Sequence, residues 1–156
     1  HLKLWILKVF CFGALLLWVG AVWTGTARAE TSPQPIAVVV NQSVDITTLS
    51  PAQLRMIFAG RTQFWPDGSR IRVFVLPPKN DTHQLFCRHL LNIYPYQLER
   101  IWQRVVYSGQ GEAPKIIDTA QAMQDAIGKT PGAIGYLSAP GQINKDIRMI
   151  TVGEPL

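Results

Sequence analysis

The apolar and polar positions along the chain divide it into short, well-punctuated elements. IAVVVN (Ile36 to Asn41) is β-branched and continuously apolar rather than alternating, which predicts a strand covered on both faces. In LSPAQLRMIFAG, Ser50 can cap a helix, Pro51 fits its first position and Gln53 completes a capping box. Leu54, Ile57 and Phe58 share one face of that helix, and Gly60 ends it. RTQFWPDGSR reads as a loop turning at Pro66-Asp67-Gly68. IRVFVL (Ile71 to Leu76) is a second strand, stopped by Pro77-Pro78.

A second helix, capped by Asp81 with Gln84, is predicted to run to about Leu91 with Leu85, Phe86, His89 and Leu90 facing inward. Pro95 opens a third, with Leu98, Ile101, Trp102 and Val105 at i, i+3, i+4 and i+7. After the glycine-bearing connection SGQGEAP, Asp118 with Gln121 caps a fourth helix through Met123 and Ile127, closed by Gly128. PGAIGYLS and IRMITV (Ile147 to Val152) supply two further strands. The order β-α-β-α-α-α-β-β predicts an α/β fold with a mainly parallel sheet flanked by helices.

The first thirty residues do not belong to that pattern. Lys3 and Lys8 precede the apolar run CFGALLLWVGAVW, and Ala27-Arg28-Ala29 places small residues where a signal peptidase reads. Residues 1–29 are therefore read as a secretory signal peptide, the alternative being an uncleaved membrane anchor, and residues 30–156 as a single domain. A cleaved leader implies a periplasmic protein. It also changes the charge balance. The whole chain carries +5, but Lys3, Lys8 and Arg28 fall in the leader with no acidic residue, leaving 12 basic against 10 acidic residues from Glu30 onward. No basic run or basic-aromatic interleaving remains, so nucleic acid is not an expected partner.

Candidate chemistry is sparse. His83 and His89, six apart, point to different sides of a helix, and no second cysteine lies in the mature part, so no metal site is implied. Cys87 stands alone between Phe86 and Leu90 and reads as a small buried hydrophobe. His83 and Cys87 form an i, i+4 pair, but Cys87 lies away from the helix N-terminus that would activate a thiol. Gly109 and Gly111 follow a helix rather than a strand, unlike a dinucleotide fingerprint. No cofactor and no enzymatic activity are expected.

Three pieces of sequence together carry a resemblance. LSPAQLRMIFAGRTQFWPDGSRIRVFV is similar to a stretch of the phosphate-binding proteins of ABC transporters, PGAIGYLS matches a strand motif of the same family, and VVVN fits its opening strand. The similarity runs from about Ile36 to Leu137. It implies a type 2 periplasmic-binding-protein-like fold, reduced at this length to a single lobe. Only Glu30 to Pro35 would precede the first strand of the mature chain, so the family's other donor loop has no expected counterpart.

The resemblance also implies an anion site at the start of the second helix, where the family carries Arg-x-Asp-x-Ser-Gly-Thr. An ungapped alignment sets Leu76 at the arginine, Pro78 at the aspartate and Asn80-Asp81-Thr82 on Ser-Gly-Thr. The candidate ligand residues are thus Asn80, Asp81, Thr82 and His83, offering a hydroxyl and helix N-terminal amides to phosphate or a similar small anion. Leu76 removes the guanidinium that would hold phosphate by paired bonds. Asp81 is expected to cap the free amides itself and to repel a second anion, with Lys79 or Arg61 as candidate compensation. Weak binding is the expectation. The alternative is an envelope interaction module that kept the fold and lost the ligand, docking on another protein or on itself through a face including Phe64, Trp65 and Tyr136.

Overall fold

A computed structural model describes residues 35–138 and 140–153 of the chain. The leader expected over residues 1–29 lies outside the described residues. In chain order the elements are β1 (Ile36–Asn41), β2 (Thr48–Leu49), α1 (Pro51–Phe58), β3 (Arg72–Val75), α2 (Asp81–Leu85), a π-helical turn (Phe86–Leu91), α3 (Pro95–Tyr107), β4 (Lys115–Ile116), α4 (Ala120–Lys129), β5 (Ala133–Ser138) and β6 (Ile147–Val152). The strands form one sheet in the order β2-β6-β1-β5-β3-β4. The pairs β2–β6, β5–β3 and β3–β4 are parallel, whereas β1 runs antiparallel to both its neighbours. The sheet is therefore mixed but mostly parallel, with helices packed on it as the element order requires.

Local chemistry explains most boundaries. Ser50 Oγ accepts the Gln53 amide at 3.1 Å while Gln53 returns a bond to the Ser50 amide at 2.9 Å, a complete capping box. The chain leaves α1 through Gly60 at φ +74°, where the Trp102 ring approaches to 3.1 Å of the place a Cβ would occupy. Only glycine meets both conditions without strain. Both ends of α4 depart from the expected places, and its C-cap is Thr130. Thr119, not Asp118, caps α4 by accepting the Ala122 amide at 3.1 Å. Gly128 lies inside α4 instead of closing it, and its carbonyl, with that of Ile127, accepts from the Asn41 side chain at 3.1 and 2.7 Å. Asn41 thus ties the end of β1 to the end of α4.

The inner face of Asp81–Leu91 differs from its sequence reading. His83, Phe86, Cys87 and Leu91 are buried, while His89 is exposed and Leu90 only half-buried. A regular α-helix would bring Phe86 and Leu90 together. The wider π-helical turn brings Phe86 and Leu91, five apart, to the same side instead. The turn ends at Asn92 in the left-handed conformation, φ 54°.

Two of the three residues expected on an exposed docking face are core. Tyr136 is 0 % exposed, and its ring stacks on Phe86 with centroids 3.9 Å apart. Trp65 folds back under the sheet edge and donates its indole N–H to the Gly132 carbonyl at 3.0 Å. Phe64 remains 54 % exposed.

The motif GAIGY has a packing reason. Along β5 successive side chains alternate between faces. Tyr136 turns to the face holding Phe58 and Phe86, and Gly135 turns to α4, where an added Cβ would stand 2.6 Å from Ile127 Cδ1 and 2.8 Å from Met123 Sδ. The bare backbone at Gly135 is what lets α4 lie close to the sheet. Gly135→Ala should therefore destabilise the fold by about 1–3 kcal/mol through overpacking, whereas Gly141→Ala, with open space around it, should be near neutral. Paired denaturant titrations read the difference.

Candidate functional site

The predicted ligand residues sit at the carboxyl end of β3, where the strand gives way to Leu76, Pro77 and Pro78 and turns into α2. The Asn80 amide bonds back to the Pro77 carbonyl at 2.9 Å, closing the turn. Asn80 has extended dihedrals and is the N-cap, and Asp81 is already the first helical residue. That order corrects the expected cap. The Asn80 side-chain oxygen accepts the amides of Thr82 at 2.9 Å and His83 at 3.3 Å. Asp81, one position into the helix, is exposed, and its carboxylate caps no amide among the described residues. Thr82 is half-buried and His83 is 3 % exposed. An asparagine directly before an acidic helix start is a favoured cap, a signal the sequence did carry.

His83 does not face the loop mouth. Its Nδ1 pairs with the Tyr136 hydroxyl across a very short contact, and its Nε2 lies 3.5 Å from Cys87 Sγ. The Tyr136 oxygen also accepts the Leu76 amide at 2.9 Å. With that oxygen accepting the backbone N–H, the hydroxyl donates its hydrogen bond to His83 Nδ1, which accepts it, and the neutral ring carries its proton on Nε2, directed at the sulfur. The chain Leu76 amide, Tyr136, His83, Cys87 is buried throughout. Burial holds His83 below its usual value, favouring the neutral ring, and pushes the Cys87 thiol up to about 12. Burial likewise raises Tyr136, against the lowering effect of the Leu76 amide. A thiol so poised is not ionised at neutral pH and is not a nucleophile. The network therefore fixes structure, and nothing in the one-dimensional pattern announced that Tyr136 would join it.

Beside the loop lies a groove of about 460 Å³ whose walls include Leu76, Pro78, Leu98, Trp102, Val106 and Ile116. Leu76, aligned with the family's arginine, is 3 % exposed and helps make this wall apolar. The sheet end thus offers one helix start, already capped, and one hydrophobic trough.

The sequence profile of the PBP superfamily domain matches residues 34–153. The chain belongs to the PBP superfamily. Among solved structures, this PBP domain is similar to an ABC-type phosphate transport receptor from Vibrio cholerae, with 19 % identity, a TM-score of 0.59, and coverage of 76 % of this chain and 46 % of that one. A phosphate ABC transporter substrate-binding protein with bound phosphate from Clostridium perfringens gives 16 % identity, a TM-score of 0.62, and coverage of 78 % and 46 %. PstS from Borrelia burgdorferi gives 15 %, 0.60, and 79 % and 49 %. The chain spans about half the length of these structures. No curated protein matches it. At such identities the likeness speaks for the fold, and it agrees with the resemblance read from the sequence.

Two expectations follow from the buried network. A group held neutral in the fold but protonated more readily when unfolded adds stability that is complete above the unfolded value and declines as pH falls below it. Stability of the PBP domain should therefore fall as pH drops through His83's ordinary 6.5 toward its lowered folded value. In His83→Gln that part of the pH slope should vanish from a series of thermal melts. Tyr136→Phe should cost about 1–3 kcal/mol, because it leaves the Leu76 amide buried without an acceptor. Chemical denaturation measures it.

Proposed function

We propose that this PBP domain is an exported, non-covalent solute-binding module of the cell envelope that takes phosphate or a similar small anion weakly at Asn80, Asp81, Thr82 and His83. The observation that carries this reading is the convergence of the Thr82 and His83 amides on a single oxygen, at 2.9 and 3.3 Å. Two backbone donors aimed at one point at a helix start form the arrangement in which an oxyanion is held. Here the Asn80 side chain supplies that oxygen, so a ligand must displace an internal partner and approach the Asp81 carboxylate. Thr82, half-buried, brings a hydroxyl on the same residue as one of the two amides. The solved structures named for phosphate support the class of ligand, and the leader expected over residues 1–29 supports the compartment. The reading makes the protein a binder, not an enzyme.

A second reading is favoured by the groove beside the loop. Its rim leaves Val106 at 48 %, Tyr107 at 92 % and Ile116 at 57 % exposure, more apolar surface than a small-anion receptor needs. On this reading the domain works by association with an envelope protein or with a second copy.

Thermal melts in phosphate-free buffer, with phosphate or with chloride at equal ionic strength, separate the two. Glycine at a cap costs only a few tenths of a kcal/mol, so Asn80→Gly should stay folded while vacating the amides. Phosphate should raise its melting temperature more than that of the natural sequence, and Asp81→Asn should add to the gain. Thr82→Val should reduce it. A flat response to phosphate in all four proteins would overturn the anion reading and leave the groove.

A further inference from the structure

We infer that a second cleft, at the amino end of β3 and apart from the Asn80 loop, is a binding site for a small organic anion with an apolar body. The cleft has a volume of about 690 Å³, within the size range of small-molecule sites. Its floor is hydrophobic. Ile57, Ile71, Phe74 and Trp102 all line it and are each at most 9 % exposed. The benzo edge of Trp102 closes this floor against Gly60, 3.1 Å from where a Cβ would stand.

The rim is cationic. Arg70 and Arg72, two apart on an extended segment, turn to the same side, and Lys115 joins them from β4, opposite Phe74 in the register. The single lining carboxylate is Glu112, which meets Arg72 only loosely, at 3.9 Å between exposed side chains. An ion pair of that kind contributes little and yields readily to a better partner. Arg70 and Lys115 form no salt bridge among the described residues. Three cations over an apolar floor select a ligand with an anionic head, such as a phosphate ester or a carboxylate, and a planar or aliphatic body.

The wall opposite β3 is built, not merely open. Gln63 donates to the carbonyls of Gln110 at 2.7 Å and Gly60 at 3.2 Å, tying the glycine-bearing connection after α3 to the exit of α1. At Gly111 a Cβ would stand 3.0 Å from Gln63 Nε2 and 3.1 Å from Val105 Cγ1. The glycine-bearing connection is thus fastened along one side of the cleft.

The test is calorimetric titration of the full chain with phenyl phosphate and benzoate, against inorganic phosphate and phenol as the separated halves. Saturable binding of either aromatic anion, about tenfold tighter than either half, is expected. Arg70→Ala and Lys115→Ala, both at exposed rim positions, should each weaken it severalfold, and Glu112→Gln should tighten it by removing the competing carboxylate. Melts of the three variants establish that they fold. Asn80→Gly should leave this binding unchanged, which keeps the result independent of the anion loop. Binding no tighter than that of inorganic phosphate, or insensitive to both rim substitutions in folded protein, would overturn the inference. So would a response to Asn80→Gly as large as that of inorganic phosphate.

Discussion

The Tyr136 phenol joins parts of the chain that are far apart in sequence. Its hydroxyl accepts the amide of Leu76, sixty residues earlier, and donates a hydrogen bond to His83 Nδ1. Its ring packs flat on Phe86, which in turn meets Phe58 edge-on at 4.8 Å. One residue of β5 thereby positions the end of β3, the start of the second helix and the inner face of α1. The opposite face of the same strand shows bare backbone at Gly135, and α4 closes on it. A large side chain on one face and none on the other lets a two-sided α/β sheet pack tightly around this strand.

That constraint reaches the candidate site. The loop from Leu76 to Asn80 is fixed at one end by the Tyr136 hydroxyl and at the other by the Asn80 cap, so its amides are aimed before any ligand arrives. Preorganised donors are an asset for binding, but these already have an acceptor. Below them, His83 is withdrawn into the core as a neutral ring, so the loop gains no cation from it. The same interactions that make the loop rigid make it undemanding of a ligand.

Much of this was legible in the sequence. The strands at Ile36–Asn41 and Ile147–Val152 follow from their β-branched runs, and α1 and α3 follow from caps and a 3.6-residue stripe. The two-residue strands β2 and β4 were not legible, since so short a pairing is made by the neighbour and not by its own pattern. The inner face of Asp81–Leu91 was misread because apolar spacing assumes a regular α-helix, and the π-helical turn changes the period halfway along. The partners that bury Trp65 and Tyr136 were also not visible. Each aromatic carries a polar tip, and whether it is core depends on a distant partner, the Gly132 carbonyl for one and Leu76 with His83 for the other.

Three features bear on the proposed anion loop, and their magnitudes rank them. The Asn80 cap is worth about 1 kcal/mol, so an intramolecular oxygen alone lowers ligand affinity only about fivefold. Asp81 opposes an anion but is exposed, where solvent and salt screen it. The position of Leu76 weighs most, because each charge-assisted hydrogen bond that a guanidinium there would make is worth about 1.5–3 kcal/mol. Leu76 also sits in an apolar wall at 3 % exposure, so a guanidinium could not simply be restored without finding partners for a buried charge. Relative to the motif it resembles, the loop thus differs in its surroundings as well as in one contact. What remains is a helix start that suits an oxyanion beside a trough that suits an apolar group.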